Sequence, residues 1–178
     1  MRIISGSLKG RSILVPKNFK GRPTTDFARE GLFNVLGNII DITNADILDL
    51  FAGTGAFSIE CLSRGAKSTL AVEIQPLHVK FIHQNLDLFS LDNGNAIRQD
   101  VIKFIAQCQM NFDLVFADPP YDLIHLNTLP DKIMNSSLLR TGGWFVLEHG
   151  KYNDFSGHQA FVQSRQYSNV FFSFFQAK

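Results

Sequence analysis

Asp49-Leu50-Phe51-Ala52-Gly53-Thr54-Gly55 decides how this chain folds. The apolar residues 47–51 predict a strand, and residues 57–64, stopped by Gly65, predict a helix. Glycines placed between a strand and a helix let the backbone bend sharply and come close to a ligand. Phe57 and Ser58 occupy the stretch where a third fingerprint glycine would fall, so a dinucleotide pyrophosphate fits poorly. Asp49 agrees, because a carboxylate there repels phosphate and attracts a cation.

Working outward, strands and helices alternate. The pattern predicts strands at 68–73, 96–99, 112–117 and 144–148, with helices at 76–89, 101–108 and 126–139 between them. Near-continuous apolar runs such as Leu114-Val115-Phe116-Ala117 suit strands buried on both faces, and the alternation predicts a parallel sheet covered on both sides. Residues 160–167 and 170–175, around Ser168-Asn169, predict a closing antiparallel hairpin. The expected fold is α/β and Rossmann-like, a seven-stranded, mostly parallel sheet over residues 24–178. Upstream, Thr24-Thr25-Asp26 signals the cap of a helix that carries Leu32, Phe33, Leu36 and Ile39/Ile40 at helical spacing and ends near Gly37 or soon after. Residues 1–23 are expected to form a small β-hairpin appendage around Ile3-Ile4 and Ile13-Leu14-Val15.

The 178 residues, 45% of them hydrophobic and 17 of them Phe, suffice for a single well-filled core. Apolar stretches such as 170–175 fall far short of the roughly 20 residues a membrane helix needs, and Met1–Gly6 holds no signal-peptide core, so a cytoplasmic protein is expected. Cys61 and Cys108 stand alone and the five histidines form no HExxH, so neither a disulfide framework nor a metal site is expected. A net charge of +1 conceals an asymmetry. Residues 1–29 hold seven bases against one acid, net +6, and the rest of the chain is net −5. A basic segment on a mildly acidic body suits contact with a phosphate backbone; the plainer alternative is a solvated arm.

Two further acids fall at predicted strand ends. Glu73 lies 20 residues beyond Gly53, where a carboxylate can accept both hydroxyls of an adenosine ribose. Asp100 could accept from an adenine amine while the backbone around Val101 reads the ring edge. Either acid could instead be a helix cap or a solvated charge. Together with Asp49 they imply a ligand with an adenosine, an ammonium and a sulfonium: S-adenosylmethionine. The predicted cofactor site adds Phe51, Ala52, Gly53, Thr54 and Gly55 from the loop, Ile74 beside Glu73, and Asp118.

Asp118-Pro119-Pro120-Tyr121 follows the predicted strand at 112–117. Consecutive prolines lack N–H groups, so the loop offers carbonyl and carboxylate acceptors with almost no competing donor. An exocyclic nucleobase amine is a poor nucleophile because its lone pair is delocalised. Hydrogen bonds from it to Asp118 and the Pro119 carbonyl would favour a tetrahedral nitrogen aimed at a sulfonium methyl. Tyr121 would stack on the base, and Asp118 or water would take the released proton.

These residues resemble the class I S-adenosylmethionine-dependent methyltransferases, and more closely the RsmD family. The similarity also rests on Met1-Arg2-Ile3-Ile4-Ser5-Gly6 with Gly10-Arg11, on Arg22-Pro23-Thr24-Thr25-Asp26, on Arg29-Glu30-Gly31-Leu32-Phe33-Asn34, and on Leu62-Ser63-Arg64-Gly65-Ala66. It covers nearly the whole chain. The resemblance implies methylation of the N2 amine of a guanine in ribosomal RNA of the assembling small subunit, by a monomer. It implies RNA held by Arg2, Lys9, Arg11, Arg22, Thr24, Thr25 and Arg29, with Phe33 and Asn34 closing over the cofactor. Gly31 stands where the family usually has Ala, and residues 167–175 follow the family's ending only in part. Asp-Pro-Pro-Tyr is shared with DNA adenine-N6 methyltransferases, which makes that activity the rival; a non-catalytic RNA-binding assembly factor is the alternative of another class.

Overall fold

The computed structural model of the chain describes residues 1–16, 25–124 and 126–178. Arg22 and Thr24, two of the predicted RNA contacts, lie outside the described residues, as do Lys17, Lys20 and His125.

Seven strands form one sheet. They are β1 (Asp46–Leu50), β2 (Ser68–Glu73), β3 (Gly94–Arg98), β4 (Phe112–Ala117), β5 (Leu139–His149), β6 (Phe161–Tyr167) and β7 (Val170–Gln176). The order is β3-β2-β1-β4-β5-β7-β6, with β1 to β5 parallel and the β6–β7 hairpin antiparallel, as the alternation predicts. The helices are α1 (Asp26–Ile39), α2 (Ala56–Ser63), α3 (Pro76–Leu88), α4 (Val101–Gln107) and α5 (Leu129–Met134). Among the described residues, no helix is long and apolar enough to cross a membrane.

The sheet is buried on both faces because alternate residues of one apolar run enter different cores. Val115 and Ala117 join Val101 and Phe104 of α4 and Leu129 and Ile133 of α5 on one side. Leu114 and Phe116 join Leu32 and Phe33 of α1 and Phe57 and Cys61 of α2 on the other. Aromatic rings link that second core from helix to sheet: Phe33 stacks on Phe57 at 5.3 Å, and Phe57 on Phe116 at 4.0 Å.

Thr25 caps α1, its Oγ1 accepting from the Ala28 N–H at 3.2 Å. The predicted helix at 126–139 is much shorter. After a 3-10 turn at Leu126–Thr128, α5 stops at Met134. Ser136 Oγ donates to the Ile133 carbonyl and accepts from the Leu138 N–H, offering the backbone a turn in place of further helix. Strand β5 then opens at Leu139, five residues before the predicted start, and passes through Gly142 at φ 76° where its register against β4 slips.

The two departures from the family pattern meet in space. A Cβ on Gly31 would lie 2.1 Å from Tyr167 Cε1, so only glycine lets this ring lie against α1. The ring is hemmed by Phe27 and Phe172, with centroids at 5.7 and 6.0 Å. Gly31→Ala should therefore destabilise the fold by about 1–3 kcal/mol through overpacking, although alanine alone favours a helix by about 1 kcal/mol. In a Tyr167→Ala background the sign should reverse, which urea unfolding of the four proteins checks.

Candidate active site

Order reverses in the sheet at β1, where the chain leaves the β2–β3 side for β4; such a switch point is where open parallel sheets bind ligands. The turn from β1 to α2 is held in an uncommon backbone conformation. Phe51, Gly53 and Gly55 have φ of 60°, 53° and 72°, and Phe51 adopts it at a steric cost that glycine avoids. Gly55 also packs closely, since a Cβ there would lie 2.9 Å from Ile82 Cγ1. The Ala52 carbonyl accepts from the Gly55 N–H, and buried Thr54 donates to Met1 Sδ at 3.8 Å.

The loop is tied to the next strand through Glu73, whose Oε2 accepts from the Gly53 N–H and Oε1 from the Gln75 N–H, both at 2.8 Å. Each carboxylate oxygen keeps a second lone pair for a ligand hydroxyl. Beside Glu73, Ile74 is 53% exposed and offers an apolar face. Asp100 caps α4 through Oδ1, which accepts from the Lys103 N–H at 3.0 Å, and Val101 is buried behind it. Asp49 is 1% exposed and accepts from Ser58 N–H at 3.2 Å and Ser58 Oγ at 2.7 Å. Burial pushes its carboxyl up to about 7, against the Ser58 hydrogen bonds and with a further push from Glu73.

Across the switch point, the Asp118 N–H donates to the Leu50 carbonyl at 3.3 Å, which carries the β1–β4 pairing into the proline loop. The Pro120 carbonyl accepts from Leu123 N–H at 2.9 Å, whereas no described donor reaches the Pro119 carbonyl. Tyr121 is 46% exposed, and its hydroxyl donates to Glu148 Oε1 at 3.1 Å. Asp118 is only half-buried as a residue, yet its carboxyl is packed tightly enough that burial, then Glu148, then Asp49 raise it well above the carboxylate range.

Glu148, buried at the end of β5, is the site residue that sequence reasoning missed. Its signal was the one that marked Glu73, a carboxylate closing an apolar strand. Asp49, Glu73, Asp118 and Glu148 thus gather at the carboxyl ends of β1, β2, β4 and β5. Among the described residues no cluster is arranged to hold a metal ion. A cation is the kind of ligand that would draw the protons from the raised Asp49 and Asp118 carboxyls and take their charge.

Some predicted residues stand elsewhere. Phe33 is 1% exposed between Phe57 and the Arg64 guanidinium, which lies 4.3 Å over its ring, so neither face is open to a ligand. Asn34 is exposed, and its carbonyl accepts from Asn38. Arg29 is turned inward: its Nη2 donates to the Arg2 carbonyl and to Asp26 Oδ1, both at 2.7 Å, leaving it 5% exposed. Thr25 Oγ1 is taken up as the α1 cap.

Arg2, Lys9 and Arg11 are exposed. Arg2 pairs with Asp26 at 3.1 Å, and Arg11 lies over the Phe89 ring at 4.6 Å. The segment that bears them pairs antiparallel around an Arg2–Ser12 bridge, with Ile3 N–H donating to the Arg11 carbonyl at 2.9 Å and Ile13 N–H to the Met1 carbonyl at 3.0 Å. Its order comes from docking. Ile3 and Ile13 are buried against Ala56 and Ile59 of α2, and Asn85 exchanges two hydrogen bonds with the Leu14 backbone, at 2.7 and 2.9 Å.

The family described as "Conserved hypothetical protein 95" matches residues 1–176. The chain belongs to this family. A ribosomal RNA small subunit methyltransferase D of Escherichia coli K12 is 35% identical over 148 residues, covering 83% of this chain and 71% of that protein. One from Buchnera aphidicola subsp. Baizongia pistaciae is 32% identical over the same length, covering 83% and 75%. The sequence resemblance to the RsmD family is thereby borne out. The structure of yhhF from Escherichia coli superposes with a TM-score of 0.87 at 28% identity, covering 100% of this chain and 98% of the other.

Proposed function

We propose that the chain, acting as a monomer, methylates the N2 amine of a guanine in ribosomal RNA of the assembling small subunit, with S-adenosylmethionine as the donor. The observation that carries this reading is the gathering of four carboxyl groups at the switch point, bordered by a donor-poor proline loop. The relatives named as small-subunit methyltransferases support it. Asp49 and the Gly53–Gly55 turn would hold the methionine end, Glu73 the ribose, and Ile74, Asp100 and Val101 the adenine. Bound there, the cofactor supplies an electrophilic methyl group.

The chain's own residues prepare the acceptor. Asp118 and the Pro119 carbonyl accept the two N–H bonds of the amine and draw its lone pair out of the ring, and the half-exposed Tyr121 ring stacks on the base. Arg2, Lys9 and Arg11 face the RNA backbone. Tritium transfer from labelled cofactor to small-subunit ribosomal RNA and to duplex DNA tests the reading, followed by mass spectrometry of the labelled nucleotide. Label in N2-methylguanosine is expected; label in DNA alone overturns it.

The raised Asp49 carboxyl gives cofactor binding a pH dependence of fixed sign. Below about 7 the folded protein holds a proton that a bound cation expels, so affinity should rise by up to about tenfold per pH unit towards 7 and level off above it. Calorimetry in buffers of different ionisation enthalpy should show proton release near pH 6, reduced by up to about one proton in Asp49→Asn.

A further inference from the structure

Glu148 reaches the back of the Asp118–Tyr121 loop from β5 and is 3% exposed. Its Oε1 accepts the Tyr121 hydroxyl at 3.1 Å, and its carboxyl is near enough to Asp118 to raise that group. Two residues on, Gly150 supports the same ring, since a Cβ there would lie 3.0 Å from Tyr121 Cδ2. The ring is therefore held at its hydroxyl and along one edge while its surface stays half open.

We infer that Glu148 is a positioning residue for the acceptor loop, anchoring the Tyr121 ring by its hydroxyl before the base arrives. The role rests on the methyl-transfer reading above. Glutamine can replace it, since its Oε1 still accepts from the Tyr121 hydroxyl.

Glu148→Ala should lower kcat by about 100-fold, the scale of a small misplacement at a reacting centre, with the cofactor KM within about twofold. Glu148→Gln should recover all but about threefold of the wild-type kcat. Wild type that labels no ribosomal RNA overturns the methyl-transfer reading itself. By contrast, an alanine variant with wild-type kcat, or a glutamine variant as impaired as alanine, overturns the positioning role. Where the alanine variant does not fold, Glu148→Met keeps the volume and serves the same comparison. A second measurement needs no turnover: in protein labelled with 3-fluorotyrosine, Tyr121→Phe assigns the Tyr121 line among the three tyrosines. That line should move towards the position of an exposed tyrosine in Glu148→Ala and stay in place in Glu148→Gln; an unmoved line in the alanine variant overturns the anchor whatever the kinetics show.

Discussion

Replacing Asp118 with alanine should cut methyl transfer to small-subunit ribosomal RNA by about a thousandfold and leave cofactor affinity within about threefold of wild type. On the proposed reading the variant removes the side-chain acceptor for the amine, while the Pro119 carbonyl and the Tyr121 ring remain. Asp118→Asn, which keeps one carbonyl acceptor, should fall between alanine and wild type. Stability should change in the opposite direction. An acid whose folded carboxyl is raised holds a proton that the unfolded chain has already lost above about pH 4, so its contribution to stability is greatest in acid and declines as pH rises through the folded value. Removing Asp118 relieves that cost, and thermal unfolding at about pH 8 should show a variant at least as stable as wild type, with the advantage gone near pH 4. Unchanged transfer, or loss of transfer together with loss of fold, would deny Asp118 its role.

The sheet was legible because its strands are sandwiched between helices and must be apolar on both faces. Phe112–Ala117 and Ser68–Glu73 were placed to the residue for that reason. The stretch at 126–139 misled because its leucines and Ile133 keep helical spacing on both sides of a serine pair. The outcome depends on whether Ser136 bonds its local backbone, and on β4 being present to pair with Leu139, a contact far away in sequence. The N-terminal β appendage was legible from Ile3 and Ile13, which pair on either side of the Arg2–Ser12 bridge; what their spacing hid is that the surface they pack on is α2.

In the pocket, strand-end position was the working signal, and it brought Asp49, Glu73 and Asp118 to one side of the sheet. Glu148 carries the same signal and gained meaning only from Tyr121, 27 residues earlier in the chain. Charge was a poorer guide than position. Arg29 contributes to the basic count of the first 29 residues, yet it is 5% exposed, its Nη2 donating to Asp26 and the Arg2 carbonyl inside the fold. Composition counts a guanidinium without knowing which way it faces.

Glu60 extends that lesson and carries the second large effect. A glutamate in the middle of a helix reads as a solvated face, but every residue of α2 is buried, because the sheet covers one side and residues 1–16 the other. Glu60 Oε2 accepts from Ile4 N–H at 2.7 Å, and its Oε1 accepts from Ser5 N–H at 2.9 Å and Arg64 Nε at 2.8 Å. Glu60→Ala takes the fully buried acceptor away from two backbone donors and a guanidinium on half-buried residues, which should cost about 3–5 kcal/mol. Most of that loss should appear locally, as protease cleavage within residues 1–16 and fast amide exchange at Ile4 and Ser5, because the sheet has its own core. Cofactor affinity should change by no more than a few-fold, since Asp49 and Glu73 are held by Ser58 and the Gly53 N–H and the turn's side-chain bond to the appendage is the long Thr54–Met1 contact at 3.8 Å. RNA affinity should fall and its salt dependence flatten, because Arg2, Lys9 and Arg11 are presented only as long as Ile3 and Ile13 stay docked. A variant whose first 16 residues remain as protected as in wild type would show that the apolar contacts of Ile3 and Ile13, and not this carboxylate, hold the basic segment in place.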